Sequence, residues 1–272
     1  MDDILHNSQL IDELIAISKE AGEAILKVYN SDFDYQIKED LSPLTKADTL
    51  SNDIICERLK TLTPDIPILS EENSDIPFNI RSSWEQYWLV DPLDGTKEFI
   101  KKNGEFTTNI AFIYQNRPIF GMIYVPASNE VFWGSKEIGA YHLSGDSYSN
   151  KKKIRVSKKK AGGELRIVSS RSHPSVDLKT LLDKIGIFKL VSVGSSLKFC
   201  LIAQGLADCY PRLGPTSEWD TAAGEIIAES AGANIVNLEN KIIKYNQKED
   251  YLNPHFLVSN SIETKEEIFS II

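Results

Sequence analysis

The chain has 272 residues, of which 42% are hydrophobic and 25% charged, and it carries a formal net charge of −9 at pH 7. These values fit a soluble globular protein of one large domain or two closely packed halves, and the acidic balance argues against nucleic-acid binding. No apolar run approaches the roughly 20 residues that a membrane-spanning helix needs. The acidic start is unlike a secretory signal, and three cysteines without metal-binding spacing favour a reducing, cytoplasmic compartment.

Apolar periodicity predicts the elements of the first half. A 3.6-residue period indicates helices over 7–28 and 47–62. Short apolar or alternating runs indicate strands over 66–69, 87–90, 107–114, 119–125 and 131–133. The third and fourth of these strands are expected to form a hairpin that turns at residues 116–118.

The second half alternates more regularly between the two kinds of element. Strands are predicted over 165–169, 189–193, 207–210 and 256–259, and helices over 175–185, 196–204, 219–231 and 262–270. Such alternation is typical of an α/β layer in which helices cover a sheet. We place the seam between the halves within 135–160, which divides the chain into subdomains 1–140 and 141–272.

A basic run interrupts the acidic chain at residues 151–160, where seven of ten residues are Lys or Arg. The favoured interpretation is a solvated linker or hairpin. Weak attraction of anionic substrates, or of an inner-membrane surface in peripheral association, stays open as the alternative.

The most informative segment is 88–99, in which an apolar strand leads into Asp91 and Asp94. Two carboxylates this close repel each other unless a cation lies between them, and a hard divalent cation takes oxygen ligands. Gly95 and Thr96 follow at once, where a ligand can approach the backbone closely and phosphate can meet helix amides. The alternative is an ordinary Asp-Pro and Asp-Gly turn that caps a helix.

Two further segments place carboxylates after a strand or at a helix start. Glu71 follows the strand at 66–69, and Asp220 opens the helix at 219–231. In a layered α/β fold, ligands collect where strands end. Taken singly, Glu71 has the alternative of a surface loop, and Asp220 that of a helix N-cap.

Together these segments resemble the signatures of the lithium-sensitive, Mg²⁺-dependent phosphomonoesterases of the inositol monophosphatase superfamily. The matching residues are 88–96 (WLVDPLDGT), 219–224 (WDTAAG) and 70–72 (SEE). Within that superfamily the chain resembles the 3′(2′),5′-bisphosphate nucleotidases through 95–99 (GTKEF), 194–200 (GSSLKFC), 210–216 (YPRLGPT) and 252–254 (LNP).

The resemblance implies a layered αβαβα sandwich of two subdomains with the active site between them. It also implies two or three Mg²⁺ ions held by four carboxylates and one backbone carbonyl. These ligands are Glu71, Asp91, Asp94, Asp220 and the carbonyl of Leu93.

The resemblance further assigns Asp48 and Thr96 to the pair that positions or deprotonates the nucleophilic water. The alternative for Asp48 is a helix N-cap. The substrate-binding residues it implies are Ser170, His173, Gly194 and Lys198, together with Glu71, Asp94, Gly95, Thr96 and Asp220. The alternative for His173 is a turn residue before a proline.

The expected activity is hydrolysis of adenosine 3′,5′-bisphosphate to AMP and phosphate, with the sulfated nucleotide 3′-phosphoadenylyl sulfate as a further substrate. One alternative is the same chemistry on inositol monophosphate or another small sugar phosphate. Another is a catalytically silent scaffold that binds anions or RNA through the basic run. The expected partner is a small nucleotide, with no nucleic acid and no transmembrane segment; no oligomeric state is predicted.

Overall fold

The computed structural model describes residues 8–37, 43–158, 164–172 and 176–272. Its helices are α1 (Ser8–Tyr29), α2 (Lys46–Leu62), α3 (Phe78–Arg81), α4 (Thr96–Ile100), α5 (Val176–Ile185), α6 (Leu197–Ala203), α7 (Glu218–Ala231) and α8 (Ile262–Phe269). Its strands are β1 (Tyr35–Ile37), β2 (Pro43–Thr45), β3 (Ile68–Ser70), β4 (Gln86–Asp94), β5 (Thr107–Tyr114), β6 (Arg117–Val125), β7 (Glu130–Ser135), β8 (Gly139–Ser144), β9 (Lys152–Ile154), β10 (Leu165–Ser170), β11 (Phe188–Val193), β12 (Cys209–Arg212), β13 (Asn234–Asn237) and β14 (Phe256–Ser259).

Two large sheets form the frame. The first has seven strands in the order β3-β4-β5-β6-β7-β8-β9, antiparallel except for the parallel pair β3 and β4. The second has five strands in the order β11-β10-β12-β14-β13, with β10 parallel to both its neighbours and β14 antiparallel to both of its own. A separate two-stranded ribbon joins β1 and β2.

The layers follow from alternation along the strands. In β4, Trp88 and Val90 face α1 and α2, whereas Tyr87 and Leu89 face the core between the sheets. Because successive side chains of a strand point to opposite faces, one strand serves both cores.

Helices α6 and α7 fill the space between the sheets, and α5 and α8 cover the far face of the second sheet. The order of layers is therefore αβαβα, and the predicted fold is confirmed.

Helix α7 packs unusually close to the first sheet. A Cβ built on Gly121 of β6 would lie 2.5 Å from the carbonyl oxygen of Ala223. Glycine at this position therefore lets the helix backbone approach the strand directly. This close packing fixes the start of α7, which carries Asp220, against the sheet that carries Asp91 and Asp94.

Most predicted elements are present with boundaries shifted by no more than two residues, and the largest shift is the end of β4, four residues beyond the prediction. The predicted hairpin turn is placed too late, because the chain turns at Gln115 and Asn116, both of which have positive φ (46° and 61°). The short elements β1, β2, α3, β8, β9 and β13 were not predicted, since runs of three to six residues show little periodicity.

The sheets also show where the chain passes from one half to the other. The first sheet continues to Ile154 and the second begins at Leu165, so the predicted division at 140/141 falls inside β8. The division into two subdomains stays a prediction.

Part of the basic run forms β9, an exposed edge strand, and Lys151 and Lys153 lie 5.5 Å and 5.6 Å from the ring centroid of Tyr141. Its last two lysines, at 159 and 160, are outside the described residues. Among the described helices, none is long and apolar enough to cross a bilayer.

Candidate functional site

The acidic segment lies in a bulge of β4. Asp91 pairs with Asn109 and Asp94 with Thr107, and the register shifts between the two pairs. Pro92 lacks a backbone N–H, so regular pairing cannot continue through it. The prediction that this strand ends at residue 90 is therefore wrong: the strand continues to Asp94, and the bulge brings both carboxylates to the same side.

Three carboxylates converge on this bulge. One oxygen from each of Asp91, Asp94 and Asp220 lies within 4.8 Å of the others. Glu71 and Leu93 line the same cavity, which has a volume of about 230 Å³. Glu71 reaches it because β3 runs parallel to β4, and its amide donates a 3.1 Å hydrogen bond to the carbonyl of Val90. All five predicted metal ligands thus border one cavity.

Burial and mutual repulsion dominate the electrostatics of this cluster. Burial, followed by the charges of Glu71, Asp94 and Asp220, raises the pKa of Asp91 well above its usual range. Burial and the charge of Asp220 raise the pKa of Asp94 to about 7. The Oδ1 atom of Asp91 accepts the amide of Leu93 at 3.1 Å, but its buried Oδ2 has no hydrogen-bond partner within the described residues. An acceptor in this state is poised for a cation.

Asp48 serves both the helix start and the site. The N-cap of α2 is Thr45, and Asp48 is the third residue of a capping box, so the predicted alternative of Asp48 as the N-cap is wrong in detail. Its Oδ2 accepts from both the amide and the hydroxyl of Thr45 at 2.7 Å. Its Oδ1 is left to accept the hydroxyl of Thr96 at 3.2 Å.

Thr96 has two acceptors within reach, since its hydroxyl also lies 3.3 Å from the carbonyl of Leu93. A hydroxyl carries one proton, so donation to Asp48 leaves its oxygen lone pairs free to accept from a water. The structure therefore brings together the predicted Asp48–Thr96 pair.

Asp220 repeats this arrangement at the start of α7. Ser217 is the N-cap, and its amide donates to Asp220 Oδ2 at 2.8 Å. The hydroxyl of Thr216 donates to the same oxygen at 2.8 Å. The alternative of Asp220 as the N-cap is again wrong in detail, because the N-cap is Ser217 and Asp220 is the N3 residue of the capping box. The capping box holds one carboxylate oxygen of Asp220, and the other oxygen can join the cluster.

The same cavity also has cationic lining residues. Lys198 and Arg212 both line the cavity, and Lys198 is only 7% exposed. Burial lowers the pKa of Lys198 to about 8, although the charge of Asp94 acts in the opposite direction. Its ammonium group donates to the carbonyl of Ser195 and lies 5.8 Å from the ring centroid of Tyr210. The cavity thus combines a hard anionic cluster with a buried cation.

Of the other predicted substrate-binding residues, Gly95, Thr96 and Ser170 line the cavity. Gly194 lies beside its lining, where a Cβ would come within 2.5 Å of Glu98 Cγ and 2.8 Å of the Glu105 carbonyl. His173 falls outside the described residues.

Several residues that line or support the cavity are not among the predicted site residues. Arg212 and Tyr210 belong to a segment that carried the resemblance, and that segment was the available signal. Glu98, which is 3% exposed, belongs to the 95–99 segment that also carried the resemblance. Glu105 gave no signal, because its neighbours come from distant parts of the chain.

Comparison with known proteins matches this chain over residues 6–272 to the inositol monophosphatase family. The 3′(2′),5′-bisphosphate nucleotidase CysQ of Escherichia coli (strain K12) is 46% identical over 253 residues, covering 92% of this chain and 99% of that protein. The crystal structure of CysQ from Bacteroides thetaiotaomicron, a bacterial member of the inositol monophosphatase family, has a TM-score of 0.82 and 37% identity and covers 94% of this chain and 98% of its own.

A phosphatase acting as IMPase and NADP phosphatase, solved with Mg²⁺ and phosphate, shares the fold at a TM-score of 0.78 and 20% identity, covering 97% of this chain and 95% of its own. The extent of the family match and the identity to the relatives confirm the predicted resemblance. The chain belongs to the inositol monophosphatase family.

Proposed function

We propose that the protein is a Mg²⁺-dependent 3′(2′),5′-bisphosphate nucleotidase that hydrolyses adenosine 3′,5′-bisphosphate to AMP and phosphate. The observation that carries the proposal is a single cavity lined both by clustered carboxylates and by the cations Lys198 and Arg212. A substrate with two phosphates matches such a cavity, since one phosphate meets the acidic side and the other needs cations. The 46% identity to a nucleotidase over nearly the whole chain supports the same conclusion.

The residues of the acidic side fit a divalent cation. Three carboxylate oxygens within 4.8 Å of each other, with a buried unpartnered Oδ2 on Asp91, form an oxygen-rich set that Mg²⁺ prefers. We assign Glu71, Asp91, Asp94 and Asp220, with the carbonyl of Leu93, to hold Mg²⁺. When bound, Mg²⁺ supplies charge neutralisation for the phosphate and acidifies the attacking water.

We assign Asp48 and Thr96 to orient that water. The hydroxyl of Thr96 donates a hydrogen bond to Asp48 Oδ1 and can accept one from the water. This second hydrogen bond fixes the direction in which a lone pair of the water points. Asp48 is held by its two bonds to Thr45, so the pair is oriented before substrate arrives.

We assign the part of the cavity around Lys198 and Arg212, here called the nucleotide side, to the nucleotide. We expect these two cations to bind the second phosphate, with Ser170, Gly194 and Gly95 close to it. Arg212 suits this role because its Nε is buried without a hydrogen-bond partner in the described part of the chain. We assign Asp94 and Asp220, whose charges act on Lys198, to border both phosphates. His173 stays a predicted nucleotide contact.

Other small phosphate esters are the alternative substrates. Inositol monophosphate carries one phosphate and offers no second phosphate to Lys198 and Arg212, which favours the nucleotide. The sulfated nucleotide would present its 3′-phosphate to the same carboxylates, so we include it as a second substrate.

The cellular setting is also proposed. Cys56, Cys200 and Cys209 are all free thiols, which fits the reducing cytoplasm. The exposed lysines of β9 keep peripheral attachment to an anionic membrane as an alternative.

The test is phosphate release from adenosine 3′,5′-bisphosphate, inositol 1-phosphate and fructose 1,6-bisphosphate, each with Mg²⁺ and with EDTA. We expect the highest kcat/KM for the nucleotide and no release in EDTA. Equal kcat/KM for nucleotide and inositol phosphate would contradict the nucleotidase assignment, and release that persists in EDTA would contradict the metal assignment.

A further inference from the structure

Glu105 lies in the connection between α4 and β5 and contacts the second half of the chain through both its carboxylate oxygens. Its Oε2 accepts the amide of Gly194 at 2.8 Å. The guanidinium of Arg171 forms a bidentate pair with it, from Nε to Oε2 and from Nη2 to Oε1, each at 2.7 Å. Glu105 thus joins the segment after the acidic bulge to the ends of β10 and β11.

The segment that Glu105 holds is a strained turn. Ser195 has φ of +48°, a left-handed conformation that is unfavourable for residues with a Cβ. Such a conformation persists only where the surrounding contacts over-determine it. Here the residue before Ser195 is held by Glu105.

The residue after Ser195 is held as well. The hydroxyl of Ser196 donates to Asn109 Oδ1 at 2.7 Å and lies 2.8 Å from the hydroxyl of Thr107. Its amide donates to Asp94. Ser195 is therefore fixed on both sides: Glu105 holds the residue before it, and Asn109 and Asp94 hold the residue after it. The carboxylate of Glu105 does so from outside the cavity lining.

The turn determines where the buried cation sits. The ammonium group of Lys198 donates to the carbonyl of Ser195, and both residues line the cavity. There is no spare room for the turn to move toward the acidic bulge, since a Cβ on Gly95 would lie 3.2 Å from Ser195 Cβ and 3.0 Å from the Glu105 carbonyl. Loss of the Glu105 anchor would instead let the turn relax away from the cavity.

We infer that Glu105 is a positioning residue for nucleotide recognition: by holding Gly194 and Arg171 it fixes the left-handed turn at Ser195 and so presents Lys198 to the substrate. The inference rests on the proposed function for the identity of the ligand. We expect Glu105 to affect binding of the nucleotide and not of the metal, because the Glu105 carboxylate bonds to Gly194 and Arg171 and not to the metal carboxylates.

The test compares Glu105→Ala, Glu105→Gln and Arg171→Met with a matched control, Glu239→Gln, which breaks an exposed ion pair with Lys241 on a loop outside the cavity lining. Three quantities are measured: the Kd of AMP by calorimetry, the KM and kcat for adenosine 3′,5′-bisphosphate, and the inhibition constant of inorganic phosphate.

Glu105→Ala removes the bond to the Gly194 amide and both bonds to Arg171. Because none of these touches the ligand, only part of their free energy should appear in binding, and we expect the AMP Kd and the nucleotide KM to rise about tenfold. The kcat and the phosphate inhibition constant should stay within about twofold. Glu105→Gln keeps an acceptor for Gly194. Arg171→Met removes a half-exposed ion pair and the bond to the Ser192 carbonyl but leaves the bond between Glu105 and Gly194. Each should therefore raise the AMP Kd by about threefold. The control should match the wild type.

An unchanged AMP Kd in Glu105→Ala, or equal losses of AMP and inorganic phosphate binding, would overturn the inference. If thermal melting shows that Glu105→Ala does not fold, Glu105→Gln and Arg171→Met decide, and wild-type AMP binding in both would overturn it. Failure of the proposed function looks different, because the wild type itself would then neither hydrolyse the bisphosphate nor bind AMP.

Discussion

Replacing Asp94 with Asn should stabilise the metal-free protein at alkaline pH while it abolishes activity. The pKa of Asp94 rises from an ordinary 3.8 to about 7, chiefly through burial and the charge of Asp220. Above about pH 4 the unfolded chain has lost this proton while the folded protein still holds it. The stability of the metal-free protein therefore falls as the pH rises from about 4 to about 7 and then levels off.

The magnitude follows from the pKa. One pKa unit corresponds to about 1.4 kcal/mol, so a charged Asp94 costs the metal-free fold about 4 kcal/mol at pH 8, of which about 3 kcal/mol develops above pH 5. Asn removes this cost. It also removes the carboxylate that supports the charge of Lys198, so we expect a net advantage of Asp94→Asn over wild type that grows by about 2 kcal/mol between pH 5 and pH 8.

The assay is urea unfolding in EDTA at the two pH values, with Asp65→Asn, an exposed site after α2, as a control for the charge change. In a second set, Mg²⁺ at 100 times its Kd should stabilise the wild type by about 2.7 kcal/mol, and Asp94→Asn by much less. Turnover of the variant should fall about a thousandfold. A variant with wild-type turnover and an unchanged difference in stability at both pH values would refute the reasoning.

Three further predictions concern residues that line the cavity. Thr96→Ala should lower kcat at least a hundredfold with little change in KM, because its bond to Asp48 orients the attacking water; steady-state kinetics that show a change in KM alone would make Thr96 a phosphate-binding residue. Lys198→Ala should raise KM for the bisphosphate nucleotide about tenfold and leave inositol 1-phosphate hydrolysis unchanged; equal losses on both would place Lys198 at the scissile phosphate. LiCl should inhibit turnover where KCl at equal ionic strength does not, since Li⁺ is a small hard cation suited to the carboxylate cluster; equal responses would indicate screening only.

The layers of the fold could be predicted because the spacing of apolar residues distinguishes helices from strands. Residues 87–90 form an unbroken apolar run, which is typical of a strand buried on both faces, and the 3.6-residue period of 219–231 indicates a helix. The bulge of β4 could not be read from this pattern. A proline after Asp91 indicates the end of a strand in the sequence. In the structure the strand continues past this proline, because Asp91 pairs with Asn109 and Asp94 pairs with Thr107 on β5.

The carboxylates of the site could be predicted for a related reason, since each comes directly after an apolar run or lies in the first turn of a helix. Glu105 could not, because its partners Arg171 and Gly194 are 66 and 89 residues away and the pairing depends on how the two sheets meet. No local pattern of charge or polarity encodes such a contact.

The acidic residues of the site differ in whether the fold also needs them. Asp48 holds the first turn of α2 through its bonds to Thr45, so a chain that no longer needs catalysis still needs Asp48 in order to fold well. Asp91 is the opposite case, because its buried charge is opposed by its neighbours when no cation is present. Under relaxed selection for activity, drift would therefore remove Asp91 early and retain Asp48. A descendant that had lost the chemistry would still show an intact helix start beside an altered bulge.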